Sequence, residues 1–192
     1  MSHEPPDRNR NRWLLIAIFV MFFGSMLVAG ALRFSGWRPA GSKNFGEMLD
    51  PPGDLRAVAA RRLDGSVYAW NPIARRWRIA LAPPETCDEA CVKLARDIDT
   101  VWRLTGREAD RVDVLWVCAT ATCAVPAAAS RLSTLQRLQG AAPLRGSLPR
   151  VDDPRGTPVY VIDPNGFVIL RYAPGFDPGG LRADLAKLLK LK

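Results

Sequence analysis

The hydrophobic pattern of the chain begins with an uncharged apolar run. Residues 13–32 read WLLIAIFVMFFGSMLVAGAL and contain no charged side chain. An α-helix of this length spans about 30 Å, the thickness of the hydrocarbon core of a bilayer. The run therefore predicts a transmembrane helix at 13–32, after a cytoplasmic tail at 1–12. A cleaved signal peptide ending near 29–31 is the alternative, although the run is longer than is usual for such a peptide.

The next stretch, 33–54, shows no sustained apolar period. It contains several residues that interrupt helices and strands, namely Gly36, Pro39, Gly41, Gly46, Pro51, Pro52 and Gly53. We interpret it as a linker to a folded domain at 55–192. With either interpretation of the apolar run, this domain lies outside the cytoplasm, where disulfides persist.

Strand patterns open the predicted domain. Asp64-Gly65 lies between two apolar stretches and predicts the turn of a β-hairpin. Residues 77–81 predict a short apolar strand, and residues 112–118 are nearly all apolar, which is typical of a strand buried on both faces of a parallel sheet. Pro164-Asn165-Gly166 predicts the turn of a second hairpin.

Helical patterns separate these strands. Apolar residues follow Cys91 at helical spacing until Gly106, and an alanine-rich stretch at 126–140 carries Leu132, Leu135 and Leu138 at the same spacing. A last helix follows Gly179-Gly180. The order of hairpin, strand, helix, strand, helix, hairpin and helix predicts an α/β domain with a central sheet and flanking helices.

Composition narrows the chemistry of this domain. The chain of 192 residues has one histidine, His3, so that histidine-based triads and histidine metal centres are excluded from 55–192. The formal net charge is +8, which favours proximity to anionic lipid or an acidic partner. We do not interpret the basic residues at 75–78 as a nucleic-acid patch, because an exported chain rarely meets nucleic acid.

Cys87 and Cys91 lie at the predicted start of the helix after strand 77–81. Thr86-Cys87-Asp88-Glu89 fits a capping box, which places Cys87 at the positive end of the helix dipole and favours its thiolate. Cys91 follows one turn later on the same face, with about 5–6 Å between Cβ atoms, so the pair can close a disulfide. Both sulfurs can also bind one Cu(I) ion, which prefers thiolate ligands. Two ordinary buried cysteines are the remaining interpretation.

Cys118 and Cys123 form a second pair at the carboxyl end of the strand predicted at 112–118. In an open α/β sheet, the loops at this end form the functional edge. We interpret the pair as a buried strand cysteine with a loop thiol, or as a structural disulfide. A cysteine-only Cu(I) site and a thiol relay with the first pair are the alternatives.

This order of elements, with a cysteine pair at a helix start, resembles the thioredoxin-like superfamily. Residues 87–91, CDEAC, resemble the C-x-x-x-C segment of the Sco/SenC proteins, which are membrane-anchored copper and thiol proteins of cytochrome c oxidase assembly. Residues 156–166, GTPVYVIDPNG, resemble the strand and turn that pass behind the cysteines. The resemblance implies a role for Pro158 beside Cys87 and Cys91, and a cis bond before it. It also exposes a departure, since the third copper ligand of Sco proteins is a histidine in a Val-Asp-His segment and this chain has Val151-Asp152-Asp153.

The resemblance implies a single-pass protein of the bacterial inner membrane with a periplasmic domain. The implied function is thiol–disulfide oxidoreduction through Cys87 and Cys91 in assembly of the copper site of cytochrome c oxidase, with an oxidase subunit or assembly factor as partner. One alternative is a metallochaperone that holds Cu(I) on Cys87 and Cys91 alone. The other is a docking module without redox activity.

Overall fold

The structure is a computed structural model that describes residues 8–35, 44–120, 123, 125, 127, 135–140 and 142–191. The chain divides into two compact units, Met1–Ser42 and Lys43–Lys192. The first unit contains helix α1, Arg8–Phe34, and the segment Asn9–Phe34 is long and apolar enough to cross a membrane. Its large apolar side chains, such as Trp13, Met21 and Leu27, are exposed. The apolar helix predicted at 13–32 is thus present and extends further at both ends.

The second unit is an α/β domain built on a six-stranded sheet. Its strands are β1 (Glu47–Asp54), β4 (Trp77–Leu81), β5 (Val112–Val117), β6 (Leu135–Leu138), β7 (Val159–Ile162) and β8 (Phe167–Tyr172), while β2 (Ala60–Arg61) and β3 (Val67–Tyr68) form a separate small hairpin. The sheet order is β1-β8-β7-β4-β5-β6, in which β4, β5 and β6 are parallel and the other pairings antiparallel. Both predicted hairpins are present, the first with strands of only two residues.

Helices cover this sheet, and apolar layers lie on both of its faces. The helices whose full length the structure describes are α2 (Glu89–Arg103), α3 (Ala142–Gly146) and α4 (Pro178–Leu188), with 3-10 turns at Pro72–Ala74 and Gly106–Arg111. Side chains of α2 and α4 pack with Ile79 and Leu81 on one face, whereas Ala80 packs in the layer on the other face. Successive side chains of a strand point to opposite faces, and both faces of β4 are covered. All five of its residues are therefore buried, which explains its continuous apolar run.

The domain begins earlier than the sequence pattern indicated. Strand β1 lies within the predicted linker 33–54 and pairs with β8 at the edge of the sheet. An edge strand needs no full apolar period, and it tolerates Pro51 and Pro52 because one side of its backbone has no strand partner. The register shift between Met48 and Gly53 marks an irregularity in the same stretch.

A buried carboxylate fixes the segment before β1. Asp184 of α4, which is 1% exposed, accepts hydrogen bonds from the amides of Phe45 (2.7 Å) and Gly46 (3.0 Å). It also accepts from the hydroxyl of Tyr172 (2.8 Å) and from Nζ of Lys187 (3.0 Å). Gly46 is required here, since a Cβ atom would lie 2.6 Å from the Tyr172 ring. We call these contacts the Asp184 anchor.

The prediction of a helix at 126–140 is wrong for residues 135–138, which form strand β6 beside β5. Leu135 packs against the α2 side of the sheet and Leu138 is buried on the other side. Two residues three apart share one face of a helix but take opposite faces of a strand, so both arrangements bury leucines. The open edge of β5 decides between them, because it supplies backbone partners for 135–138. Leu132 and most of 126–134 lie outside the described residues.

Candidate functional site

Cys87 and Cys91 lie at the carboxyl end of β4, where the chain turns into α2. They form a disulfide with 5.3 Å between their Cα atoms. Strand β4 is an interior strand of the sheet, so the pair lies near the middle of the row of strand ends on that side of the sheet. The structure thus joins the two cysteines that the sequence pattern predicted could form a disulfide.

Helix α2 begins two residues later than the capping box predicted. Its N-cap is Asp88, whose Oδ1 accepts a hydrogen bond of 2.9 Å from the amide of Cys91. Asp is as good an N-cap as Thr, and the shift leaves Glu89 in the first turn, where the helix dipole favours an acid. Cys87 therefore precedes the cap, and the carboxylate of Asp88, rather than the Cys87 sulfur, occupies the position at the helix end.

The two sulfurs differ in exposure. Cys91 is 4% exposed and packs in the layer between the sheet and α2, whereas Cys87 is half-buried and its neighbours at 84–86 are exposed. A partner thiolate can reach only a sulfur at the surface, so Cys87 is the sulfur available for attack. When a partner thiolate attacks Cys87, Cys91 is the sulfur that is released, and in the reverse step it attacks Cys87 again.

Two grooves flank residues 82–88, the segment between β4 and α2 that we call the cysteine turn. One, of about 290 Å³, is lined on one side by Cys91 and Leu94 and on the other by Thr157 and Phe176. The second, of about 490 Å³, separates Thr86 from the loop that carries Asp152 and Asp153. Asp88 and Arg155 border both grooves. A peptide in the first groove would contact apolar side chains together with the charged Lys93 and Asp97, whereas charged side chains such as Arg145 and Asp152 line the second.

Pro158 is buried at the same end of the sheet, where its carbonyl oxygen accepts a hydrogen bond of 3.3 Å from the amide of Ala82. This bond continues the pairing of Leu81 with Val159. In the described part of the chain the one cis peptide bond precedes Pro51, so the cis bond expected before Pro158 is wrong. An extended connection suffices, because Thr157 and Pro158 lead straight into β7.

The loop across the second groove is held by an ion pair. Asp153, with a side chain 7% exposed, accepts hydrogen bonds from Arg171 (2.7 Å) and from the guanidinium and amide of Arg155 (3.0–3.1 Å). Arg155 and Arg171 hold the pKa of Asp153 well below its usual value. Arg171 is 2% exposed, and its buried Nε has no partner among the described residues.

Arg145 connects this loop to the cysteine turn. It donates hydrogen bonds to the carbonyl oxygen of Pro83 (2.9 Å) and to Oδ1 of the exposed Asp152 (3.2 Å). Pro83 lies four residues before Cys87. Arg145 and Arg171 were missed by sequence reasoning, since they lie on separate elements and no local pattern relates them to the cysteines. Asp88 as the cap could have been found, because an Asp three residues before Cys91 also satisfies the capping pattern.

Cys118 and Cys123 form a second disulfide at the end of β5, with 5.4 Å between Cα atoms. Cys118 is 1% exposed and packs in the same layer as Cys91, whereas Cys123 is half-buried. The amide of Cys118 donates to the carbonyl oxygen of Leu138 (3.1 Å). Both cysteine pairs therefore lie at the carboxyl ends of adjacent parallel strands.

The residues of the first pair do not complete a three-ligand copper site. In the described part of the chain, no group of three or more His, Cys, Asp or Glu side chains is arranged to hold a metal ion. Asp153, in the segment that resembles the histidine segment of Sco proteins, is occupied by Arg155 and Arg171. A carboxylate is in any case a hard ligand that suits Cu(I) poorly.

The fold and the cysteine pair define this domain as thioredoxin-like, with a disulfide at the start of a helix beside the central strands. The chain belongs to the family described as transmembrane-like, thioredoxin-like, C-terminal domain, whose sequence model matches residues 77–192. No curated protein matches the sequence.

Solved Sco/SenC structures share the fold, as the sequence resemblance predicted. BsSco, a Sco-family protein of cytochrome c oxidase assembly, is 12% identical with a TM-score of 0.54, covering 77% of this chain and 98% of its own. Yeast Sco1 with copper bound is 13% identical with the same TM-score, covering 79% and 96%. A SCO1/SenC family lipoprotein from Bacillus anthracis is 16% identical with a TM-score of 0.54, covering 74% and 99%. At these identities the likeness shows the fold alone.

Proposed function

We propose that the chain is a membrane-anchored thiol–disulfide oxidoreductase in which Cys87 and Cys91 exchange a disulfide with a cysteine pair of a partner protein. The observation that carries the proposal is the unequal exposure of the two sulfurs within one disulfide, with Cys87 at the surface and Cys91 buried beneath it. A cysteine pair that served the fold alone would not need one cysteine in an open depression of the surface, where Cys87 lies beside Asp88, Val92 and Arg96.

The exchange balances without a further reactant. In the reduced state, the Cys87 thiolate attacks one sulfur of a partner disulfide, breaks that bond and releases the other partner sulfur as a thiolate. The Cys91 thiolate then attacks Sγ of Cys87 and releases the second partner thiolate. Two electrons pass to the partner, and Cys87–Cys91 is again a disulfide. The reverse sequence oxidises a partner dithiol.

The grooves would position the partner. The groove beside Cys91 offers Leu94, Phe176 and Pro174 to apolar side chains. Thr157 lines the same groove and precedes Pro158, whose bond to Ala82 fixes the groove wall. We therefore place Pro158 in a positioning role for the chain that leads to Cys87.

The compartment follows from the exposed apolar helix. A helix such as α1, with its large side chains unburied, is stable in lipid rather than in water. We propose that α1 spans the bacterial inner membrane once and that the domain lies in the periplasm. This places Cys87 and Cys91 where disulfides are formed and exchanged.

We propose cysteines of the copper site of cytochrome c oxidase, or of one of its assembly factors, as the partner. The support is the fold shared with BsSco, which belongs to a family of cytochrome c oxidase assembly proteins. Cu(I) carried on Cys87 and Cys91 is the second candidate function, supported by the copper-bound state of yeast Sco1 and by the preference of Cu(I) for thiolates. The ion-paired state of Asp153 favours exchange over copper transport.

The test equilibrates the full-length protein in detergent with glutathione buffers and counts free thiols by alkylation and mass spectrometry. We expect a reversible couple at Cys87–Cys91 between roughly −270 and −120 mV, the range from thioredoxin to strong periplasmic oxidants. The matched controls are Cys87→Ser/Cys91→Ser and Cys118→Ser/Cys123→Ser. A Cys87–Cys91 bond that resists reduction until the domain unfolds would refute the exchange function.

A parallel titration with Cu(I) and a chromogenic chelator separates the second candidate. Weak Cu(I) binding that is equal in wild type and Cys87→Ser is the expected result. Tight stoichiometric binding that is lost in Cys87→Ser would put copper transport first.

A further inference from the structure

The second disulfide repeats the arrangement of the first. In each pair one cysteine is buried in the layer between the sheet and α2, namely Cys91 and Cys118, and the other is half-buried at the surface. Strands β4 and β5 are hydrogen-bonded neighbours, with Leu81 opposite Trp116. The two disulfides therefore lie at one edge of the sheet and on one face of it.

The end of β5 is held in place independently of its disulfide. The amide of Cys118 bonds to Leu138, and the amide of Gly140 bonds to the carbonyl oxygen of Thr120 at 3.1 Å. The backbones of Gly140 and Cys118 are packed so closely that a Cβ atom on Gly140 would lie 2.1 Å from the Cys118 carbonyl oxygen. Opening the disulfide would leave Cys118 fixed by these main-chain contacts.

The disulfide also constrains little of the chain. It joins residues five apart, and a disulfide stabilises a fold less when the loop it closes is short. The Cys118–Cys123 bond thus closes a short loop, lies beside a strand end that the backbone already fixes, and has one cysteine at the surface. This arrangement suits exchange rather than stability.

We propose that Cys118–Cys123 is a second redox couple that exchanges electrons with Cys87–Cys91 inside the same domain. The inference rests on the proposed exchange function, because the electrons reach Cys87 and Cys91 from the partner dithiol. Transfer requires Cys87 to reach Cys123. Cys87 precedes the cap of α2 and lies in an exposed turn, so it can move without disturbing the helix.

The transfer balances within the domain. The Cys87 thiolate attacks Sγ of Cys123, the Cys118–Cys123 bond breaks, and Cys118 leaves as a thiolate. The Cys91 thiolate then attacks Sγ of Cys87 and releases Cys123. The first pair becomes the disulfide and the second the dithiol, and the two protons lost by Cys87 and Cys91 are taken up by Cys118 and Cys123.

The test traps the intermediate in the full-length protein in detergent. The variant Cys91→Ser/Cys118→Ser retains Cys87 and Cys123, and the matched control Cys91→Ser/Cys123→Ser retains Cys87 and the buried Cys118. After full reduction and slow oxidation at low protein concentration, we expect the intramolecular Cys87–Cys123 bond in a yield at least about tenfold above that of the control bond. Equal and low yields in the two variants would overturn the relay.

A second measurement uses the unmutated chain, so it does not depend on how the variants fold. The oxidised protein receives one equivalent of dithiothreitol, and samples are quenched with an alkylating reagent and mapped by mass spectrometry. Label that appears first on Cys87 and Cys91 and then on Cys118 and Cys123 supports the relay. Label that stays confined to Cys87 and Cys91 at all times overturns the relay while leaving the exchange function intact. Label that appears on Cys118 and Cys123 without any earlier label on Cys87 and Cys91 contradicts the exchange function instead.

Discussion

The cysteine turn and the Asp184 anchor are two polar regions of one domain with opposite construction. In the cysteine turn, Cys87 is half-buried, and the hydrogen bond that orders the start of α2 joins Asp88 to a residue only three positions away. In the Asp184 anchor, a fully buried carboxylate binds amides 138 and 139 residues away in the chain. One region is accessible and its helix start is capped locally, whereas the other is inaccessible and its carboxylate is held by long-range hydrogen bonds.

The domain thus separates reactivity from stability. A reactive sulfur must be reached by a partner, so it cannot depend on deep burial, and a local cap is sufficient to order its helix. A buried charge is stable only when hydrogen bonds replace water, and those of Asp184 join α4 to the start of the domain and to β8. Changes in the first region should therefore alter exchange, whereas changes in the second should alter folding.

Removing the Asp184 carboxylate should have the largest effect on stability. In Asp184→Ala, the buried Tyr172 hydroxyl and the amides of Phe45 and Gly46 lose their acceptor, and we expect the free energy of unfolding to fall by about 3 kcal/mol. Urea denaturation of the full-length protein in detergent, followed by circular dichroism, measures the loss. The rate of disulfide exchange per folded molecule should stay at the wild-type value.

The conservative variant Asp184→Asn serves as its control. It keeps an acceptor oxygen and should lose less than the alanine variant. A wild-type denaturation midpoint in Asp184→Ala, or a loss of exchange in the folded protein, would break the proposed separation.

Removing the cap of the cysteine turn should have a smaller effect. Asp88→Ala deletes the acceptor for the Cys91 amide, and we expect a loss of about 1 kcal/mol in the free energy of unfolding, the usual value for an N-cap. Asp88→Asn retains the cap and should remain close to wild type in the same denaturation experiment. A loss in Asp88→Ala as large as in Asp184→Ala would show that the cysteine turn also carries the stability of the domain.

Acidification should lower the stability of the fold, with the smallest effect of the three changes. Burial alone would raise the pKa of Asp184, but the hydrogen bonds from Gly46, Lys187, Tyr172 and Phe45 outweigh it and hold the pKa below its usual value. The pKa of Asp153 is lowered by Arg155 and Arg171. A carboxyl with a lowered pKa in the folded state stabilises the fold above its unfolded pKa, about 3.9, and loses that contribution as the pH falls through the folded value.

Urea midpoints at pH 6 and pH 3 provide the measurement. The midpoint of the wild type should fall on acidification, and Asp184→Asn should show a smaller fall because it lacks one of the two carboxyls. An equal fall in both proteins would assign the acid sensitivity to other groups.

Local patterns were sufficient for most elements of the domain. The apolar runs predicted strands at β4 and β5, the turn at 164–166 predicted the hairpin of β7 and β8, and the spacing after Cys91 predicted α2. The separation of four residues between Cys87 and Cys91 predicted that they could bond, since such residues are neighbours along a helix face. These features depend on residues close in the chain, which is why a sequence displays them.

The failures share a different cause. Strand β1 carries no apolar period because it is an edge strand, and Leu135 and Leu138 satisfy a helix and a strand equally. The cap was predicted at Thr86 instead of Asp88 because these two residues, two positions apart, both satisfy the chemistry of an N-cap. In each case the local signal allowed two structures, and a neighbouring strand or the packing of Cys91 decided between them.

Local sequence patterns were enough to predict an apolar helix of membrane-spanning length, the alternation of strands and helices, and a pair of cysteines at a helix start. Three features are visible only in the folded chain. They are the exposure of Cys87 relative to Cys91, the ion pair of Asp153 with Arg171, and the hydrogen bonds from the amides of Phe45 and Gly46 to Asp184. The physical reason is distance along the chain. A hydrogen bond or ion pair between residues 18 or 139 positions apart leaves no periodic trace in the sequence, and only the folded backbone brings the two groups together.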